Sequence, residues 1–498
     1  MRASFRSAAR SLLVAAVAIS GSAAVGVTAT LTAEVVLNAK VTPLIVPGTG
    51  TPRPQDVSSY MPHAVSYYVD TSGACGVEGC DAPVPVPYIA QFWPFPFEGW
   101  GGLEGAKWNV SVASGVTGLT SELVGDNNPS AEHPVAVFGY SQGATVASIV
   151  KASLADLTAE QKEYLSFVLI GNPNRPNGGL FERLAILGTV PILDATFGQP
   201  TPTDIGIETH DVALEYDGVS DAPSWVLNPL AVLNALAGFE YVHGTYLAPD
   251  DDEPATATPY GYTPEQVQAA IENAEQNCTA ATHCQQHGDT YYITLPAKTL
   301  PIMQPFLDLA ASTGTEALVV PIVDLLSPMA QTLIETGYDR SDYGAPTPFR
   351  LLPKVNPVTL VSDLVNDIPE GITAALNPGL DPLPGWTDPT VPDTSEDAPA
   401  TGPDSATTIT VSRVEQAPQE ATVERTVASR PDRTPITRLS AIARPGQGLV
   451  EAGTDPVATD NDRAAARKAP RSKDRPARHT AKSTAAKSTK GTRASRAG

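Results

Sequence analysis

Val135-Ala-Val-Phe138 runs without interruption into Gly139-Tyr-Ser-Gln-Gly143, and the stretch from Gln142 to Leu154 then carries Ala144, Val146, Ala147 and Val150 at helical spacing. A buried strand that turns at once into a helix restricts the chain to a layered α/β architecture, because the helix must fold straight back onto the sheet. Small residues on both sides of Ser141 suit that turn, where the backbone is strained and the helix packs close to the strand. The turn lifts the serine oxygen to the end of the strand. It also aims the first N–H groups of the helix at any negative charge developing there. Ser141 is therefore the candidate nucleophile.

The rest of the central region repeats the pattern. Leu44-Ile-Val46 is a short apolar run that exits through Pro47-Gly-Thr-Gly-Thr-Pro52. Leu165 to Ile170 stops at Gly171, Val212 to Tyr216 stops at Asp217-Gly218, and Asp289 to Leu295 reads as one more strand. Near-continuous apolar strands separated by helices predict a mostly parallel sheet covered on both faces. Thr263-Pro264-Glu265-Gln266 is a helix start, with Thr as cap, Pro at the first position and Gln three residues after the cap. Met303–Leu309 and Val319–Gly337 read as helices, the second region broken by Pro321 and Pro328.

A serine hydroxyl needs a base held by a third group. In α/β-hydrolases the order along the chain is serine, acid, histidine. His63 and His133 precede Ser141, and His210 opens a strand, the wrong end of a parallel sheet for chemistry. His243, in Tyr241-Val-His-Gly-Thr-Tyr246, suits a loop reaching back over the sheet and is the candidate base. The acid should follow a strand between these two. Asp221, three residues after Gly218, is preferred, with Asp217 as its rival; the loser is expected to cap the turn. The expected oxyanion donors are the N–H of Gln142 and the Gly48–Thr49 part of the early turn. Phe92, Trp93, Phe95 and Phe97, together with Tyr140 beside the serine, are candidate substrate contacts, as an acyl-chain rim or lid.

Arg2, Arg6 and Arg10 followed by a short Ala/Val-rich apolar run read as a secretory signal or retained anchor over 1–33. Export fits the cysteines. Cys75 with Cys80, and Cys278 with Cys284, are expected to close two small disulfide loops. His283 and His287 flank the second pair, but four converging ligands are not evident, so no metal and no cofactor is expected. The hydrolase-like domain is assigned to 34–355, a helical extension to 356–380, and a disordered Pro/Thr/Ala-rich and then basic tail to 381–498. From Arg463 to Arg496 the tail holds twelve Lys/Arg against one acid, Asp474, a charge of +11; with a total of −22, the remainder carries −33. So acidic a body repels polyanions, which excludes nucleic acid as its partner.

Taken in order, Pro47-Gly-Thr-Gly-Thr-Pro52, Gly139-Tyr-Ser-Gln-Gly-Ala144, Tyr216-Asp-Gly-Val-Ser-Asp-Ala-Pro223, Val242-His-Gly-Thr-Tyr246 and Glu335-Thr-Gly-Tyr-Asp339 resemble the PE-PPE C-terminal domain, a cutinase-like mycobacterial serine hydrolase family. The resemblance covers roughly 41–353. A signal or anchor stands where relatives carry a Pro-Glu or Pro-Pro-Glu module, which points to export by the general route. The resemblance implies an α/β-hydrolase fold and an exported esterase forming an acyl-enzyme on Ser141. Its alternatives are an acyltransferase on trehalose glycolipids of the cell envelope, and a non-catalytic envelope-surface or lipid-binding protein associated with membrane or wall.

Overall fold

The computed structural model describes residues 39–391 apart from 252, 354, 378–382, 384 and 385. The signal or anchor expected at 1–33 and most of the tail expected from 381 onward lie outside the described residues. Seven strands form one sheet: β1 (Thr42–Val46), β2 (Val84–Pro85), β3 (Val135–Tyr140), β4 (Leu165–Ile170), β5 (Thr209–Leu214), β6 (Cys284–His287) and β7 (Thr290–Leu295). They lie in the order β2-β1-β3-β4-β5-β7-β6, all parallel except β6, which pairs antiparallel with β7 at one edge.

Both faces of this sheet are buried, which is why its strands read as continuous apolar runs. Leu44, Val137, Phe167 and Leu169 face one core, shared with α1 (Trp108–Val124) and α2 (Gln142–Ser153). Their neighbours Ile45, Phe138, Val168 and Ile170 face the other, with the helical stretch 60–69, α3 (Pro229–Tyr241) and α4 (Pro264–Gln276). This is the α/β-hydrolase arrangement of a mostly parallel sheet between two layers of helices. The carboxyl ends of the parallel strands open toward the same side, where Ser141, Asp217 and the Pro47–Pro52 turn emerge.

The cap of α4 forms as its residues dictate. Thr263 Oγ1 accepts the Gln266 N–H at 3.2 Å and Gln266 Oε1 accepts the Thr263 N–H at 3.2 Å. Two expectations need correction. The strand read as Val212–Tyr216 is Thr209–Leu214, because Tyr216 turns the chain with φ +64°. The short edge strands β2 and β6 carry too few residues to give a periodic signal. Finally, Pro321 and Pro328 do not break the helix: α6 (Glu316–Glu335), after α5 (Gln304–Thr313), runs through both. A proline removes one intrahelical bond, but tertiary packing against α7 (Pro357–Leu376) holds the helix together. Both expected disulfides, Cys75–Cys80 and Cys278–Cys284, are present, and the second ties β6 to the end of α4.

Candidate active site

Ser141 sits between β3 and α2 with φ +53° and ψ −116°, a conformation that non-glycine residues seldom adopt. Its neighbours explain how the turn is held. A Cβ on Gly143 would stand 2.2 Å from the Val46 carbonyl oxygen, and one on Gly139 would stand 2.8 Å from the Gly143 oxygen. The G-x-S-x-G spacing is thus imposed by backbone meeting backbone at the crossing of β1, β3 and α2.

The Ser141 Oγ lies 2.9 Å from His243 Nε2. On the other side of the ring, His243 Nδ1 lies 3.0 Å from both carboxylate oxygens of Asp217. Asp217 is fully buried, and its carboxylate also accepts the Val219 N–H at 2.9 Å, the Ser220 hydroxyl at 2.7 Å and the Tyr246 hydroxyl at 2.9 Å. Burial alone would raise its pKa. His243 and these donors outweigh that and hold it below the ordinary value, so the carboxylate stays ionised.

This geometry corrects the preference for Asp221 as the acid. Asp221 is equally buried but accepts both contacts from Arg340 Nη1, at 2.8 and 3.0 Å, and its Oδ2 takes the Tyr216 N–H at 2.8 Å. It caps the turn, as the losing candidate was expected to do. Asp217 takes the place beside the imidazole because β5 ends two residues earlier than the apolar pattern implied, and Tyr216 at positive φ swings the next side chain toward His243.

Gln142 contributes the first N–H of α2, which has no acceptor within the helix. Its side chain is committed elsewhere: Oε1 accepts from Ser111 Oγ at 2.8 Å and Nε2 donates to Gln91 O at 3.1 Å. The Gly48 expectation is corrected. Gly48 gives its N–H to the buried Tyr60 hydroxyl at 3.0 Å and cannot also serve a substrate oxygen. Gly50 and Thr51 donate to Ala90 O and Gly48 O, which leaves Thr49 as the N–H donor of that turn among the described residues. The turn does lie against the serine, since a Cβ on Gly48 would be 3.5 Å from Ser141 Cβ.

The aromatic segment packs beside this turn. Phe95, Phe97 and Trp100 contact one another, and Phe97 meets Phe239 of α3 at 6.3 Å, whose ring in turn stacks on His243 at 6.1 Å and 13°. Phe92 joins this cluster to the core, with its ring 4.9 Å from Phe95 and 4.7 Å from buried Trp108, and the Trp93 ring lies under the Lys107 ammonium. Tyr140 is half-buried and donates its hydroxyl hydrogen to the His243 carbonyl oxygen, so it holds the histidine loop.

Three residues at the site escaped the sequence reading. Gly171 follows β4 with φ +53°, and a Cβ there would come within 3.0 Å of His243 Cε1. The Gly-Asn-Pro stop after that strand was visible, but nothing local shows what it faces. Tyr246 was visible only as part of the histidine motif; its hydroxyl accepts the Leu214 N–H at 2.9 Å while donating to Asp217. Ser220 was visible only as the residue between two acids.

The remaining histidines lie elsewhere. His63 Nδ1 faces Leu247 O at 2.7 Å, and His287 pairs with Asp342. Cys278 and Cys284 beside His283 are in a disulfide and offer no thiolate to a metal. His210, at the opposite end of β5, is fully buried between Glu275 at 2.6 Å and Glu208 at 3.3 Å. Burial lowers its pKa, but the two carboxylates more than offset this and raise it to about 9. Since that folded value exceeds the ordinary 6.5, protonated His210 stabilises the fold fully below pH 6.5 and stops doing so as pH rises through about 9. The melting-temperature advantage of the wild type over His210→Gln should therefore shrink from about pH 6.5 to about pH 10. An advantage that stays constant across that range would contradict this account.

A family model, the PE-PPE domain, matches residues 82–339, more than half of the chain. The chain belongs to the PE-PPE domain family. Among its relatives in Mycobacterium tuberculosis, the protein named esterase PE16 is 33% identical over 359 residues, 71% of this chain and 58% of that protein. The PPE family protein PPE42 is 34% identical over 302 residues, 60% of this chain and 45% of that one. The protein named SL1278 acyltransferase Chp1 is 31% identical over 290 residues, 57% of this chain and 63% of that one. This PE-PPE domain chain thus spans about half to two thirds of the length of these relatives. The matched segment contains Ser141, Asp217, Asp221 and His243, whereas the Pro47–Pro52 turn lies ahead of it.

Proposed function

We propose that this chain is an exported serine esterase that takes acyl esters through a covalent acyl-enzyme on Ser141. The observation that carries the reading is the continuous chain of contacts from Ser141 Oγ through His243 to Asp217, at 2.9 and 3.0 Å. His243 Nε2 takes the serine proton as the oxygen attacks the ester carbonyl. Asp217, ionised and buried, keeps the other ring nitrogen protonated and stabilises the imidazolium that forms. The tetrahedral oxyanion is met by the N–H of Gln142 and by Thr49. His243 then returns the proton to the departing alcohol, and a water attacks the acyl-serine by the same route in reverse. No metal or cofactor enters the sequence of steps. The two disulfides and the Arg-led apolar N-terminus support export to an oxidising compartment.

A second reading replaces that water with a sugar hydroxyl of an envelope glycolipid, which makes the chain an acyltransferase. The likeness to Chp1 favours it. The two share every step up to the acyl-enzyme and differ only in the acceptor. Incubating the protein with p-nitrophenyl butyrate, with and without trehalose glycolipid, and weighing the products separates them. Free butyrate alone supports the esterase, and acylated glycolipid supports the transferase. Neither product would refute both readings.

Tyr246 acts here as a positioning residue for Asp217. Removing its hydroxyl hydrogen takes one donor from the Asp217 carboxylate that orients His243. Tyr246→Phe is expected to lower kcat on the order of 10-fold with KM little changed. An unchanged kcat would show that Tyr246 only fills space.

A further inference from the structure

Helix α7 carries Val358, Val361, Val365, Ile368, Ile372 and Leu376, and all six are exposed. Their spacings of 3, 4, 3, 4 and 4 put them on about a quarter of the helix circumference, along about 27 Å of its length. This stripe is separate from the face that α7 packs inward: Leu360, Leu364, Asp367, Gly371, Ala374 and Ala375 are the less exposed residues, and Gly371 meets the backbone of Leu325 in α6. Helix α6 likewise exposes Leu318, Ile322, Leu325 and Leu326 and is long and apolar enough to cross a membrane. Among the described residues, two neighbouring helices therefore leave aliphatic stripes without a partner, more apolar surface than isolated exposed leucines account for.

The charges and composition around the stripes identify the occupant. Residues 299–339 and 355–391 contain no Lys or Arg, while Asp363 and Glu370 lie exposed on α7. Packing the same helices of a second copy against these would set those acids against each other with no basic residue on either helix to pair them, and Pro321, Pro328 and Pro369 interrupt the regular knobs a helical partner needs. The stripes also lack the Tyr, Trp and Arg anchors that protein interfaces favour. These two helices would be repelled by an anionic surface. What remains is a neutral lipid phase, which accepts aliphatic side chains without directional partners.

We propose that α6 and α7 dock this protein on a neutral lipid surface, with the α7 stripe lying along the acyl boundary. The docking helices are joined to the site. Asn228 Nδ2 at the start of α3 donates to Leu333 O and Thr336 Oγ1, both at 2.9 Å, and α3 leads from that junction over about 20 Å to Val242-His243.

The test is flotation of the full chain with phosphatidylcholine vesicles, compared with the triple variant Val361→Glu, Val365→Glu, Ile372→Glu. These side chains are exposed, so the variant should keep the wild-type circular dichroism and melting temperature. Wild type is expected to float and the variant to partition at least about 10-fold less. Binding needs no turnover, so the result is independent of the esterase reading. The proposal is overturned if wild type does not float or if the variant floats equally well. It is also overturned if wild type is a dimer that the variant splits, because a second copy then covers the stripe.

Discussion

Asp217→Asn is expected to lower the turnover of a soluble p-nitrophenyl ester by about 10⁴-fold, while Asp221→Asn leaves kcat nearly unchanged and costs stability instead. The two acids lie four residues apart and are both buried, so burial cannot separate them. Their partners do. Asp217 faces His243 Nδ1 at 3.0 Å, and an asparagine there removes the charge that stabilises the imidazolium. Its amide can also force the ring into the wrong tautomer. Asp221 faces Arg340, which also pairs with Glu335 at 3.0 Å and lies 3.4 Å from Glu215. Neutralising Asp221 leaves the guanidinium with two carboxylates rather than three. The expected loss is about 1–3 kcal/mol, read as a lower melting temperature with kcat retained. Comparable kcat losses in the two variants would contradict the assignment.

Ser141→Ala is expected to reduce kcat by about 10⁴- to 10⁶-fold. The same position yields a second, opposite result. Ser141 holds φ at +53°, and alanine keeps the Cβ that makes this conformation costly. Ser141→Gly relieves it and should melt at a higher temperature than Ser141→Ala while being equally inactive. Equal melting temperatures would mean that the turn stores no strain.

The layered fold was legible because its signals are local. Strands buried on both faces must be apolar throughout, and the crossing of α2 over β1 and β3 tolerates only glycine at 139 and 143, so both facts are written into short stretches of chain. The acid was not legible in the same way. Its identity depends on where β5 ends and on Arg340, which claims Asp221 from 119 residues further along the chain. Spacing from Gly218 carries no trace of that arginine. Gly48 failed as an oxyanion donor for a similar reason, since the hydroxyl that takes its N–H belongs to Tyr60 in a separate helical turn. The continuous α6 was hidden because proline rules describe isolated helices, whereas here α7 supports the helix from outside.

Covalent labelling with a fluorophosphonate tests the central claim most directly, because that probe reacts with a serine only where a base is in place to take its proton. Wild type treated near neutral pH, digested and weighed by mass spectrometry is expected to carry one phosphonyl adduct, on the peptide containing Ser141. The adduct should be absent from Ser141→Ala and strongly slowed in His243→Ala. Labelling that persists in Ser141→Ala, or folded wild type that takes up no probe, would contradict the account.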